Sequence, residues 1–208
     1  MENGRLPFAA YEMLFKLDQS GKLTWVTNVK ELLYRYGFGY VFISQQVGDI
    51  THFMQAFKQR VQDCCFQDWH DSINNSAKLS TYCTFKSLLN VEKYLSSVSV
   101  RKFASALARF RCSNHDLEIE RGRKLGVDIT ERKCHYCMST GVAVTEDEFH
   151  FICKCPLYTE LRQRYVTATV NLNQNDFVRI MRSDSHESLI GLAKFIFHAM
   201  NLRCNHVP

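Results

Sequence analysis

Twenty-two consecutive residues, CHYCMSTGVAVTEDEFHFICKC from Cys134 to Cys155, carry four of the chain's nine cysteines and two of its histidines. Cys134-x2-Cys137 is a knuckle: two thiolates on one tight turn can both reach a single tetrahedral ion. His150-x4-Cys155 answers it across a gap of twelve residues. The pattern C-x2-C-x12-H-x4-C supplies four soft or borderline donors, the Cys3His set of closed structural zinc sites. A closed set leaves no position for water. The spacing therefore predicts one structural Zn2+ ion held by Cys134, Cys137, His150 and Cys155, and no catalytic metal. A redox C-x-x-C belongs beside a βαβ pattern, and none surrounds this one. Cys153 competes with Cys155 for the fourth position, but it lies three residues after His150 on the same helix. Pro156 breaks that helix and re-aims Cys155, which favours Cys155 and leaves Cys153 to the core. His135, between the knuckle cysteines, reads as a solvent-facing bystander. Asp147 and Glu148 are hard oxygen donors less suited to a thiolate site.

Around this cluster the chain reads as helix after helix, with no internal repeat and no alternating strand pattern of any length. Pro7 suits the first turn of a helix through FAAYEMLFKLD, ended by Gly21. A second helix over Thr24–Tyr36 places Val26, Val29, Leu33 and Tyr36 on one stripe, and Gly37 stops it. YGFGYVFISQQ reads as a turn with a short apolar piece. Asp49 is an N-cap for a long helix holding Phe53, Met54, Phe57, Val61 and Cys64. NNSAKLS is a turn cluster, TYCTFKSLL and VEKYLSSV are short helices, and Val100–Arg111 is amphipathic. Thr145 and Glu148 form a T-x-x-E capping box that would open a helix carrying His150. Pro156 then opens PLYTELRQRYV, with Cys155 at its N-cap. Asp184 and Glu187 make a second capping box before a last helix whose apolar face is Leu189, Ile190, Ala193, Phe197 and Met200. The expected fold is mainly α: a helical region over 1–111, a zinc-centred helical part over 112–170, and C-terminal helices over 171–208 that pack on the rest.

At 208 residues and 46% hydrophobic composition, the chain can fill one large core or two small ones. MENGRLPFAAYEM has no basic n-region followed by an apolar run, and the longest apolar stretch, Leu189–Met200, is interrupted by Lys194 and His198. It is also shorter than the ~20 residues a bilayer requires. These features lead us to expect an intracellular protein of nucleus or cytoplasm, away from membranes. A disulfide scaffold does not fit that setting, and the odd cysteine count leaves at least one thiol unpaired. Cys64, Cys65, Cys83, Cys112 and Cys204 read as small buried hydrophobes.

The net charge of +5 is unevenly distributed. From Arg101 to Lys124 there are seven basic residues (Arg101, Lys102, Arg109, Arg111, Arg121, Arg123, Lys124) against three acidic ones. Arg132 and Lys133 join that run to the knuckle. Such a run is either a solvated helix face or a surface for phosphate backbones, with Tyr136 and His135 at the knuckle tip able to stack on an unpaired base.

The run LARFRCSNHDLEIERGRKLGVDITERKCHYC, followed by EDEFHFICKCPLYTELR, resembles the C-terminal part of reverse transcriptases from non-LTR (LINE-type) retrotransposons of invertebrates. The knuckle, the acidic lead-in to His150, the CPLY run at Cys155 and Leu161-Arg162 occur in the family's order. GFGYVFISQQVGDI and FQDWHDSINNSAKLSTYCTFKSLL are similar to the stretch that precedes it, so the resemblance spans about Trp25 to Tyr165. It implies the same four zinc ligands and a role in holding template RNA or target DNA. No Y-x-D-D or F-x-D-D sequence occurs, so the paired aspartates of a polymerase are missing, and no endonuclease pattern is visible. We therefore expect a non-catalytic, zinc-stabilised module that binds RNA or DNA through phosphates. The alternative is a protein-docking remnant that uses the apolar last helix. His70 and His115, without a nucleophile arrangement, read as structural or exposed.

Overall fold

The computed structural model describes residues 6–166 and 172–206. The chain divides into two compact units, the first ending at His70 and the second beginning at Asp71. Among the described residues the fold is entirely helical, apart from one isolated antiparallel bridge between Lys133 and Thr145. No helix of the described residues is long and apolar enough to cross a membrane.

The first unit follows its local signals closely. Helix α1 (Leu6–Gln19) ends where Gly21 takes φ +79°. Helix α2 (Trp25–Arg35) begins after Thr24, whose backbone N–H donates to Thr27 Oγ1 at 3.0 Å, and buries Val26 and Leu33. The apolar piece after Gly37 winds into a short helix α3 (Gly39–Ser44) instead of a turn. Asp49 caps the long helix α4 (Ile50–Asn74), its Oδ1 accepting the His52 N–H at 2.8 Å. Tyr36 and Phe38 pack on Phe53 and Phe57 of α4 with ring centroids 5.5–5.7 Å apart.

The second unit is built around one helix. A single turn over Ala77–Leu79 leads into α5 (Ser80–Phe85). It is followed by α6 (Tyr94–Ser97), α7 (Arg101–Arg111), α8 (Glu118–Lys124), α9 (His135–Ser139), α10 (Thr159–Tyr165), α11 (Gln174–Arg182) and α12 (His186–Cys204). Helix α12 buries Leu189, Leu192, Ala193, Phe195, Ile196 and Ala199 and packs against α6, α7 and α10. The last helix is thus the centre of a core, and of its expected apolar face Leu189 and Ala193 are buried while Ile190, Phe197 and Met200 are half-buried. Cys134, Cys137 and Cys155 belong to the same continuous core.

Three expectations change here. Arg111 is not a domain boundary: α7 lies in the same unit as the cysteine cluster and packs on α12. The boundary expected at 170 lies outside the described residues. The capping box of Asp184 and Glu187 does not form. Ser185 caps α12, its Oγ accepting the Ser188 N–H at 3.5 Å, while Asp184 pairs with Lys93 at 2.7 Å. The five scattered cysteines are not buried either: Cys64 and Cys83 are half-buried, and Cys65, Cys112 and Cys204 are exposed. Apolar neighbours in sequence place them beside core positions without burying them; the Cys83 thiol donates to the Ile73 carbonyl at 3.2 Å.

Gly191 is where α12 touches the end of α10. A Cβ at that position would overlap the Tyr165 carbonyl oxygen, a backbone atom that cannot swing away. We expect Gly191→Ala to destabilise the second unit by about 1–3 kcal/mol despite its higher helix propensity, because overpacking outweighs propensity here. Thermal or urea unfolding of the two proteins measures it.

Candidate metal centre

Four donors meet in the second unit. Cys134, Cys137, His150 and Cys155 are all buried, and their ligand atoms all lie within 4.8 Å of one another. Cys134 Sγ is 3.9 Å from Cys155 Sγ, Cys137 Sγ is 4.0 Å from Cys155 Sγ, and Cys137 Sγ is 3.4 Å from His150 Nε2. A tetrahedral ion with bonds of about 2.0–2.3 Å needs donors separated by just under 4 Å, so the spacing fits a single ion.

Each ligand is held by backbone geometry. Residues 132–134 and 144–146 pair as a short ribbon, with Cys134 N–H donating to Val144 O and Glu146 N–H to Arg132 O, both at 2.9 Å. Cys134 precedes α9, Cys137 lies in it, and the chain returns through Gly141 at φ +85°. His150 and Cys155 come from one wide helical turn over His150–Lys154, closed by Cys155 N–H donating to His150 O at 2.8 Å. An i→i+5 turn stacks residues five apart, as an α-turn stacks residues four apart. That shift puts Cys155 beside His150 and turns Cys153 into the core. Beyond the break, Arg162 locks the turn: its Nε donates to Ile152 O at 2.7 Å and its Nη2 to Cys155 O at 2.9 Å.

The expected cap of this turn is replaced by another. Thr145 is held in the bridge to Lys133, and Asp147 caps instead, its Oδ1 accepting the His150 N–H at 2.6 Å. Glu148 turns away into a buried network, accepting from Thr81 Oγ1 at 3.0 Å and Ser113 Oγ at 3.3 Å and meeting His115 Nε2 at 3.1 Å. The carboxylate is more valuable to these three polar groups, of which Ser113 and His115 are buried, than to a backbone N–H that Asp147 can satisfy. Glu146, also buried, accepts from Arg203 at 2.8 and 2.6 Å and from the Glu118 N–H at 2.9 Å. It thereby ties the ribbon to α8 and to the end of α12.

The thiols respond to this crowding. Hydrogen bonding from Cys155 pulls Cys134 down to about 3, whereas burial and the neighbouring Cys134 sulfur push Cys137 up to about 11. Cys155 is raised by its bond to Cys134 and by burial. Burial above all pushes Cys153 up to about 12, as befits a core thiol. Cys134 ionises more readily than its two neighbours, and a bound divalent cation would supply the charge that lets all three sulfurs ionise.

No family model, curated protein or solved structure matches the chain.

The basic residues expected to touch phosphates do not form one surface. Arg111 is buried, donates to Met181 O and Glu92, and stacks 4.5 Å from the Phe85 ring. Arg132 donates to the Val127 and Ile119 carbonyls with its stem across Gly122, where a Cβ would come within 2.6 Å. Arg123 is paired with Glu120 at 2.7 Å and Arg121 with Glu118 at 3.4 Å. Tyr136 is half-buried with its ring edge-on to His206, and the exposed His135 meets Glu118 at 3.3 Å. Arg101, Lys102, Arg109 and Lys124 are exposed, Lys133 is half-buried, and none of these five has an ion-pair partner among the described residues. Arg121 and Arg123 each have a glutamate three positions earlier, a helical pairing legible in sequence, whereas the partners of Arg111 and Arg132 carry no such local signal.

Two outcomes are expected. Cys155→Ala should abolish binding of one metal ion per chain while Cys153→Ala retains it, as read by elemental analysis of the purified proteins. Arg203→Met should destabilise the second unit by about 3–5 kcal/mol, since it leaves the Glu146 carboxylate buried without its partner; denaturant unfolding measures this.

Proposed function

We propose that the chain is a zinc-stabilised, non-catalytic nucleic-acid-binding module, akin to the C-terminal segment of a non-LTR retrotransposon reverse transcriptase. Zinc is the choice of donor chemistry: three thiolates and an imidazole, buried and tetrahedrally spaced, suit it better than harder cations. The ordered run from the knuckle to Arg162 supports the kinship, because its residues have interlocking tasks here. Pro156 ends the wide turn, Tyr158 packs 4.7 Å from Phe151, and Arg162 holds the carbonyls of the ligand segment.

The observation that carries the binding role is the outer face of α7. At 3.6 residues per turn, Arg101, Lys102, Ser105 and Arg109 fall within roughly 100° of arc, opposite the buried Leu107, Phe110 and Arg111. Three cations without carboxylate partners among the described residues, on a helix anchored in the core, form a fixed phosphate-binding row.

Labelled single-stranded RNA and duplex DNA should therefore bind at low salt, with affinity falling as salt rises. The combined variant Arg101→Gln, Lys102→Gln, Arg109→Gln should weaken binding to all sequences alike. It should flatten the slope of log K against log[salt] by about 2 for single strands. Arg121→Gln with Arg123→Gln should change the slope little, because those side chains already face carboxylates. Absence of binding at low salt in fluorescence anisotropy would sink the proposal.

A further inference from the structure

We infer that the cleft between α7 and α12 takes one unpaired nucleobase of a bound strand, with the adjoining phosphates held at its mouth by Lys102 and Arg109. This rests on the nucleic-acid-binding reading and names where the strand's bases go.

The cleft has a volume of about 360 Å³, enough for a planar heterocycle. Phe110, Ile196, Phe197 and Met200 provide apolar lining, while Lys102 and Arg109 stand on the exposed side. Phe197 is held in position by an edge-on contact with Phe103 at 5.2 Å between centroids. Lys102 Nζ lies 5.1 Å from the Phe197 ring centroid, so cation and aromatic surface are adjacent. Asn114 and Asn201 add amide donors and acceptors to the walls, groups that suit the polar edge of a base.

Charge favours the same occupant. Arg203, also in the lining, is neutralised by Glu146 and Glu118, and Asp116 is the one carboxylate in the wall. The two cations of α7 outnumber it and have no ion-pair partner among the described residues. An apolar slot with hydrogen-bonding walls and an unpaired cationic mouth matches a nucleotide, whose base is flat and apolar on its faces and whose backbone is anionic. The cations belong to the row on α7 that would track the backbone, so a base can enter the slot while its neighbours remain on that row.

The test uses the full metal-bound chain with a fluorescein-labelled single-stranded adenine 12-mer and the same strand carrying abasic positions. Wild type should bind the abasic strand about tenfold more weakly, the scale of base stacking on a protein surface. Met200→Trp, which fills the slot and keeps both cations, should bind the two strands equally with an unchanged salt slope. Its metal content and circular dichroism check that it is folded. Equal affinity of wild type for both strands would overturn the inference while leaving phosphate binding intact. Failure of either strand to bind at low salt would overturn both readings. Adenosine monophosphate displacing the strand at micromolar concentration would make the site one for free nucleotide, against a strand-borne base. Displacement only at millimolar concentration is the expected result.

Discussion

Three cysteine sulfurs and an imidazole lie within 4.8 Å of one another inside an apolar core, and their charge state governs whether that arrangement is comfortable. As thiols they crowd; as thiolates they repel in a medium that screens poorly. A divalent cation would resolve the conflict and make the cluster a cross-link among the ribbon, α9 and the wide turn. That cross-link would add to the core centred on α12, in the stretch where the helices are shortest. Residues 112–158 contain only short helices, too short to be stable on propensity. Their positions rest on the four donors, on Glu146 binding Arg203, and on Glu148 gathering Thr81, Ser113 and His115. Each of the last two brings residues more than 30 apart in sequence to one buried carboxylate.

What could be read from the chain beforehand divides along the same line. Signals that act within a few residues were legible: Thr24, Asp49, Gly37 and Pro156 start or stop helices where they should. The clustering of Cys134, Cys137, His150 and Cys155 was legible too, because side chains that share one tetrahedral site keep a characteristic spacing in sequence. The caps at Thr145 and Asp184 were misread since a local motif cannot show a distant competitor. Glu148 is drawn off by His115, 33 residues away, and Asp184 by Lys93, 91 residues away. Arg203 and Glu146, 57 residues apart, carry no pattern that links them. The choice between Cys153 and Cys155 shows both sides. Pro156 signalled the break, but the widened turn that carries Cys155 over to His150 is a tertiary result, stabilised by Arg162 on the Ile152 and Cys155 carbonyls.

The cations teach a related lesson about composition. A run of seven basic residues reads as one patch, yet the fold separates them by task. Arg111 crosses the core to the Met181 carbonyl, Arg121 and Arg123 answer carboxylates one turn back, and Arg132, beyond the run, fastens a loop beneath α8. Guanidinium suits these internal roles, since its fork can satisfy several acceptors at once. The remaining charge is smaller than the sequence promises but better fixed, because α7 is fastened along its inner face to α12.

Helix α12 connects the two halves of this picture. Its residues Ile196, Phe197 and Met200 line the cleft beside α7, and one turn later Arg203 reaches Glu146 at the ribbon that carries Cys134. Rigid helices transmit displacement well where both ends are pinned by buried groups, and poorly where one end is loose. With the cluster closed by a cation, the ribbon fixes Glu146, Glu146 fixes Arg203, and the far wall of the cleft is held against α7. Without it, the ribbon loses the anchor at Cys134 and Arg203 faces a carboxylate free to move. A metal bound there, touching no substrate itself, would in this way set the geometry of a surface on the other side of the unit.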